Sequence, residues 1–200
     1  MIKTACAFTG HRPKSFPWGY DESAPGCVLL KEVLAVQISA LAEQGVTDFL
    51  SGMAQGVDLW CAQIVLDLKK KNPALKLHAI LPCEGQESKW SVSAREIYHS
   101  ILEQADEVVY VGQEYSRGCM LERNRYMVDH SSILLAVYNG AYRSGTGMTV
   151  RYAQQLKKSS TYLLRSPETL LTSLPTWMRF LQKSQLRFFP VCVRICIEFS

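Results

Sequence analysis

The sequence lacks the patterns that mark several large classes of protein. Its seven cysteines are odd in number and include no Cys-x-x-Cys pair, which argues against both a disulfide framework and a zinc knuckle. No GxxxxGKS or GxxxxGKT motif occurs, and GxGxxG does not follow the first apolar run, which argues against an ordinary P-loop NTPase or dehydrogenase. Neither sign of charge predominates, because the net charge is only +4. Lys69, Lys70 and Lys71 form the only run of three basic residues. This dispersed charge argues against nucleic acid as a partner.

The amino terminus carries no recognisable targeting segment. Met1 is followed almost directly by a short apolar strand, without the apolar core and small-residue cleavage site of a signal peptide. No early segment approaches the ~20 apolar residues that a membrane span needs. We therefore expect a cytoplasmic protein with no membrane partner. With 48% hydrophobic residues, a chain of 200 residues can bury one continuous core.

Short apolar runs alternate with longer segments of helical spacing. Leu30, Leu34, Ile38 and Leu41 fall on one helical face, and Gly45 is placed to end that helix. The apolar runs predict strands at 5–8, 49–50, 75–81, 108–111, 133–138 and 162–164, and the intervening stripes predict further helices around 57–68, 94–105, 121–128 and 150–156. This alternation predicts an α/β fold with a doubly wound, mainly parallel sheet.

Residues 165–200 do not follow this alternation. Leu170, Leu174 and Leu181 could line a helix, but Pro175 would break or kink it. The stretch LRFFPVCVRICIEFS could form an added edge strand, an oligomer contact or a tail. We therefore divide the chain into a domain at residues 1–164 and a C-terminal extension of uncertain structure at 165–200.

Glycine is concentrated where the predicted strands end. In an open parallel sheet the loops at the carboxyl ends of the strands form the ligand crevice. Four such loops contain glycine, at residues 9–13, 51–58, 82–86 and 140–147. Two of them lead directly into helices, whose free amides and dipole favour an anion such as a phosphate. For any one loop the simpler explanation is that a tight turn needs glycine, but four together with Arg12 and Thr146 favour a site.

Five collinear segments resemble a known family. FTGHRP, LSGMAQGVDLWCAQIVL, PCEGQESKW, ERNRYMVDHSSILLAVYNG and SGTGMTVRYA are together similar to the YpsA-like family of the SLOG superfamily. That superfamily is a Rossmann-like group related to DprA and to the Lonely Guy phosphoribohydrolases. The resemblance covers roughly residues 3 to 164, and it implies a modified Rossmann fold whose strand-end loops bind a nucleotide-derived ligand.

The resemblance also implies particular contacts with the ligand. The first-loop contacts correspond to Gly10, His11 and Arg12, and Ser51, Gly52, Gly56 and Asp58 resemble a second-loop motif shared with DprA. Gly145 and Thr146 correspond to the family's Gly-Gly-Thr phosphate turn, in which the first glycine is here Ser144. Arg123 lies in a segment similar to the arginine segment of Lonely Guy enzymes. Those enzymes carry glutamates after the Gly-Thr turn, and no carboxylate follows Thr146 at this point, which argues against their hydrolysis.

Several residues have two interpretations. Arg12 could bind a phosphate with two charge-assisted hydrogen bonds or pair with a neighbouring acid. His11 could donate to the ligand, act as an acid or base, or cap the loop. Asp58 could accept ribose hydroxyls, hold Arg12, or compensate the helix dipole. Glu84 and Gln86 could contact a base or ribose, beside Trp90 as a stacking face or a core residue.

Three functions remain open. The first is a binding or sensor protein for a nucleotide-derived molecule such as ADP-ribose, NAD or a nucleoside phosphate. The second is a nucleotide N-glycosidase in which Glu84 is the catalytic candidate, because glycosidic cleavage needs a carboxylate. The weakest is DprA-like binding of single-stranded DNA. No metal site is predicted. A homodimer is one option, since Rossmann-like proteins of this group often pair, and the sequence does not give the oligomeric state.

Overall fold

Within the part of the chain that the structure describes, six parallel strands alternate with five α-helices, as the apolar runs and helical stripes predict. The computed structural model describes residues 4–158 and 160–164. The strands are β1 (Ala5–Gly10), β2 (Asp48–Ser51), β3 (Lys76–Leu81), β4 (Glu107–Tyr110), β5 (Ile133–Val137) and β6 (Ser160–Leu164). The helices are α1 (Pro25–Glu43), α2 (Val57–Lys69), α3 (Val92–Gln104), α4 (Cys119–Asp129) and α5 (Gly145–Gln155), and one 3-10 turn spans Pro13–Ser15. The extension at 165–200 lies outside the described residues.

The predicted helical stripe of α1 is buried in the core. Leu30, Leu34, Ile38 and Leu41 are each at most 2% exposed, and the backbone leaves the helix through Gly45 at a φ of +93°, a conformation that glycine adopts without strain. At 19 residues, α1 is also long and apolar enough to cross a membrane by length and composition. The expectation that no early segment approaches a membrane span was therefore too strict. In the fold, however, α1 packs on the sheet as a core helix.

The strand order is β4-β3-β2-β1-β5-β6, and every pair is parallel. The chain builds the sheet outward from β1 to β4 and then returns to place β5 on the other side of β1. The point where the order reverses, between β1 and β5, is where open α/β sheets bind ligands beyond the carboxyl ends of their strands. The loops after β1 and β5 are therefore neighbours, although about 130 residues separate them.

Helices cover both faces of the sheet, which confirms the doubly wound α/β prediction. One face carries α1, α2 and α3 over a core that includes Phe8, Phe49 and Leu77. The other carries α4 and α5 over a smaller core around Leu134 and Val150. β1 and β5 lie between these two layers of helices and are buried along almost their whole length.

The helix beside the edge of the sheet is less buried than its apolar stripe predicts. The helical spacing of residues 94–105 predicts one apolar stripe that includes Ile97 and Ile101, but the Ile97 side chain is 51% exposed. In α3 only Tyr98 and Ile101 are buried. Beyond α3, the edge strand β4 is largely exposed. The helical period is therefore right, whereas the burial of the outer half of the stripe is not.

Candidate functional site

The loops after β1 and β2 are in direct contact. A side-chain carbon at Gly10 would lie 2.4 Å from Cβ of Val57, the first residue of α2. A side-chain carbon at Gly56 would lie 2.8 Å from the His11 carbonyl oxygen and 3.0 Å from Pro13 Cδ. Gly56 also has a φ of +94°, which disfavours any other residue. Both glycines are therefore required for the two loops to approach this closely.

The loops after β1 and β5 are joined through His11. The amide of Asn139 donates a hydrogen bond to His11 Nε2 at 3.2 Å, and the imidazole stacks on Tyr138 with centroids 6.1 Å apart. Burial lowers the pKa of His11. An imidazole that accepts through Nε2 is neutral, with its proton on Nδ1. The structure thus gives His11 the loop-capping role among its predicted alternatives.

A buried ion pair lies beneath the second loop. Arg123 of α4 donates from Nη1 to Oδ2 of Asp58 at 3.3 Å, and Arg123 is only 4% exposed. Burial raises the pKa of the Asp58 carboxyl and lowers that of the Arg123 guanidinium, while the charge of each partner opposes the other's shift. Asp58 therefore holds Arg123, and not Arg12 as one prediction proposed.

The guanidinium of Arg123 occupies space that only a glycine leaves free. A side-chain carbon at Gly52 would lie 1.2 Å from Nη1 of Arg123 and 2.7 Å from Oδ2 of Asp58. The Nε atom of Arg123 is buried without a hydrogen-bond partner among the described residues. Unsatisfied buried donors are rare, and each one needs an explanation.

The second and third loops are tied together by polar side chains. Ser51 Oγ donates to the Asp58 carbonyl oxygen at 2.9 Å and accepts from the Met53 amide at 3.1 Å. Met53 has a φ of +56°, which is uncommon for a residue other than glycine. From the third loop, Gln86 donates to the Met53 carbonyl oxygen at 3.2 Å. Ser51 and Gln86 thus have structural roles in shaping the second loop.

Arg12 is the exposed cation of the site. Its side chain makes no hydrogen bond or ion pair within the described part of the chain, yet its charge lowers the pKa of both Asp58 and Arg123. Two guanidinium groups therefore act on one carboxylate. Because arginine stays protonated in proteins, this corner of the sheet carries an excess of positive charge.

The turn after β5 ends at the amino terminus of α5. Ser144 Oγ accepts from the Gly147 amide at 2.9 Å and caps the helix. A side-chain carbon at Gly147 would lie 2.7 Å from the Ala141 carbonyl oxygen. The amides of Gly145 and Thr146, in the first turn, have no intrahelical acceptor and remain as donors beside the site. Thr146 is buried and Gly145 has open space around it.

The catalytic candidate lies apart from these contacts. Glu84 is exposed and makes no hydrogen bond or ion pair with the described residues. Trp90 is half-buried against the core and lies edge-on to Tyr98 at 5.4 Å. Within 4–158 and 160–164, no group of three or more His, Cys, Asp or Glu side chains could hold a metal ion.

Sequence reasoning missed two contributors. Asn139 and Tyr138 hold His11. The Asn-Gly pair at 139–140 is a turn signal that predicts a polar connection at this strand end. The pairing of Asp58 with Arg123 had no such signal, because 65 residues separate the two.

Comparison with known proteins identifies the family. The YpsA family model, described as the YspA SLOG family, matches residues 6–168. A UPF0398 protein of Halalkalibacterium halodurans is 33% identical over 148 residues, which cover 73% of this chain and 78% of that protein. The SPbeta prophage-derived protein YoqJ of Bacillus subtilis is 33% identical over 147 residues, covering 66% and 84%.

A solved structure of DprA shares the fold. DprA of Helicobacter pylori, described with a single-stranded DNA binding mode, aligns with a TM-score of 0.53 and 20% identity over 91% of this chain and 73% of that one. DprA of Streptococcus pneumoniae aligns with a TM-score of 0.49 and 16% identity over 79% of this chain, which spans about half (48%) of that one. At this identity the likeness concerns the fold alone. With a family match that covers most of its length, the chain belongs to the YpsA family of SLOG proteins.

Proposed function

We propose that the protein is a cytosolic binding protein for a nucleotide-derived small molecule such as ADP-ribose, NAD or a nucleoside phosphate. Its anionic group would lie at the carboxyl edge of the sheet, between the loops that follow β1, β2 and β5. Family membership, the position of β5 beside β1, and the contact between these loops support this location.

The excess positive charge at Arg12 and Arg123 is the observation that carries the proposal. Asp58 compensates one guanidinium, and Arg12 has no ion-pair partner in the described part of the chain. A phosphate would compensate the second charge, with Arg12 as a two-pronged donor. The first-turn amides of α5 supply uncharged donors for the same anion.

Calorimetric titration with ADP-ribose, AMP and inorganic pyrophosphate tests the proposal. We expect binding to wild type, and at least about tenfold weaker binding in Arg12→Ala, because a charge-assisted hydrogen-bond pair is lost. The matched control is Lys14→Ala, which removes an exposed positive charge from the same loop. The proposal is wrong if no phosphate-bearing ligand binds at millimolar concentration, or if Arg12→Ala behaves like Lys14→Ala.

A second candidate, single-stranded nucleic acid, is favoured by the distribution of charge. Residues 114–158 contain seven Lys and Arg against three Asp and Glu, whereas residues 4–113 contain nine against thirteen. On this basic side Arg125 lies over the Tyr152 ring at 5.6 Å and Arg151 over the Tyr142 ring at 3.8 Å. Arginines interleaved with aromatic rings suit an unpaired strand.

Binding of labelled oligo(dT) at two salt concentrations tests this candidate. We expect the affinity to fall steeply with salt and to weaken in Arg151→Ala, with Lys31→Ala on the opposite face of the sheet as the control. Weak binding that is equally affected by both substitutions would count against it.

A further inference from the structure

A groove runs along the outer surface of α2 on the face that carries α1, α2 and α3. Its volume is about 870 Å³, within the range of small-molecule sites. Its floor is formed by α2, including Trp60 and Ile64. One wall contains Tyr20, from the segment before α1, and the other contains Trp90 and Ile97, from the segment before α3 and from α3 itself.

The lining offers apolar and aromatic surface that faces solvent. Ile97 is 51% exposed and Tyr20 is 65% exposed, and Trp90 is half-buried. The polar atom of the floor is already satisfied, because Trp60 Nε1 donates to Glu22 at 2.8 Å. A ligand can therefore cover the apolar surface without leaving the indole nitrogen unpaired.

Most charges along the groove are neutralised by pairs within the protein. Glu22 accepts from Lys31 at 2.6 Å, and Asp67 accepts from Lys70 at 2.7 Å. Lys89 is the lining cation for which the described residues provide no ion pair. The lining also offers the amide of Gln55, which has no hydrogen bond with another described residue, and that of Gln63. These groups suit an uncharged planar molecule with hydrogen-bonding edges.

The groove reaches the contact between the first and second loops. Its lining includes Pro13 and Gly56, and both lie in that contact. Pro13 directly follows Arg12 in the chain. A molecule with an anion at Arg12 can thus continue past Gly56 into the groove.

We propose that the groove binds an uncharged heteroaromatic ring, such as a purine base, of the ligand whose anionic group lies at Arg12. This inference rests on the proposed function and adds to it the location and chemistry of the second half of the ligand. Aromatic side chains on both walls provide surfaces for ring stacking, and the amides provide edge contacts.

Calorimetric titration with adenosine, AMP and pyrophosphate separates the two halves. We expect Ile97→Glu, which places a charge on the groove wall, to weaken adenosine and AMP at least about tenfold and to leave pyrophosphate unchanged. Arg12→Ala is expected to weaken AMP and pyrophosphate and to leave adenosine unchanged. Val92→Glu is the matched control, because Val92 is 63% exposed on the same helix and does not line the groove.

A second variant helps to distinguish a loss of ligand binding from a loss of the folded structure. Ala94→Trp fills the groove without adding charge, and the thermal midpoint of each variant shows whether the fold is retained. Equal adenosine affinity in Ile97→Glu and Val92→Glu, or no adenosine binding where AMP and pyrophosphate bind equally well, overturns the groove proposal. Adenosine binding that persists without any pyrophosphate binding contradicts the proposed anion site and supports the groove.

Discussion

Gly52 and Arg123 occupy a shared space, since a side-chain carbon on Gly52 would lie 1.2 Å from the Arg123 guanidinium. A methyl group at position 52 cannot be accommodated unless the guanidinium leaves its place beside Asp58. The glycine of the second loop is therefore explained by a side chain from α4 and not by a turn, because its φ is not among the positive values.

Gly52→Ala is expected to destabilise the protein by about 3 kcal/mol or more, because displacing Arg123 leaves the Asp58 carboxylate buried without its partner. Urea unfolding measures the change. Gly145→Ala is the control, since no atom lies within 4 Å of a side-chain carbon at that helical position. We expect that control to be neutral or slightly stabilising, and equal losses in the two variants would contradict the shared-space explanation.

A double-mutant cycle on the ion pair should show strong coupling. Arg123→Met and Asp58→Asn are each expected to cost about 3–5 kcal/mol, because each leaves a buried group without its partner. The double variant should lose clearly less than the two single losses added together. Free energies of unfolding in urea give the coupling, and additive losses would show that the pair does not interact.

The elements were more predictable than the contacts between them. The apolar period of α1 identifies Leu34 and Ile38 as core residues, because a helix with one apolar face buries that face. The same period misplaces Ile97, whose helix lies beside the exposed edge strand. Periodicity predicts the direction in which a side chain points. Whether that side chain is buried depends on the element that it faces, and the order of strands in the sheet decides which element that is.

For the candidate site too, the location was predictable from the sequence, whereas the contacts between its side chains were not. Glycines after apolar strands, together with Arg12, indicate the carboxyl edge because parallel strands end there. From the sequence, Asp58 could accept ribose hydroxyls, hold Arg12 or compensate the helix dipole. Only the fold places the Arg123 side chain beside it. The role of His11 likewise depends on the Asn139 amide, which belongs to a loop 128 residues away.

Because Gly10 contacts Val57, a larger side chain at position 10 should be compensated by a smaller one at position 57 in the free energy of unfolding. Gly10→Ala is expected to cost about 1–3 kcal/mol, because the added methyl overlaps Val57. Val57→Ala alone should also destabilise, since Val57 is buried. The combined variant should be more stable than the added losses predict, as measured by urea unfolding. Strict additivity would show that position 57 does not limit position 10.

His11 should make stability depend on pH. Its pKa in the fold lies below the ordinary value of 6.5 because of burial. Its contribution to stability is therefore present above pH 6.5 and is lost as the pH falls through the lowered pKa. Protonation would also place a donor against the Asn139 amide.

The comparison uses His11→Gln, which keeps an acceptor in place but does not titrate. Wild type should lose more stability than this variant between pH 7.5 and about pH 5.5 in urea unfolding. Identical pH profiles for wild type and His11→Gln would contradict the assignment.

The position of β5 also affects synthesis of the chain. β1 is synthesised long before its partner on one side, Ile133–Val137. Until that partner emerges, a largely apolar central strand presents an unpaired backbone edge to other nascent chains and to chaperones. Translation therefore includes a long interval in which a strand that is buried in the finished protein has one backbone edge unpaired.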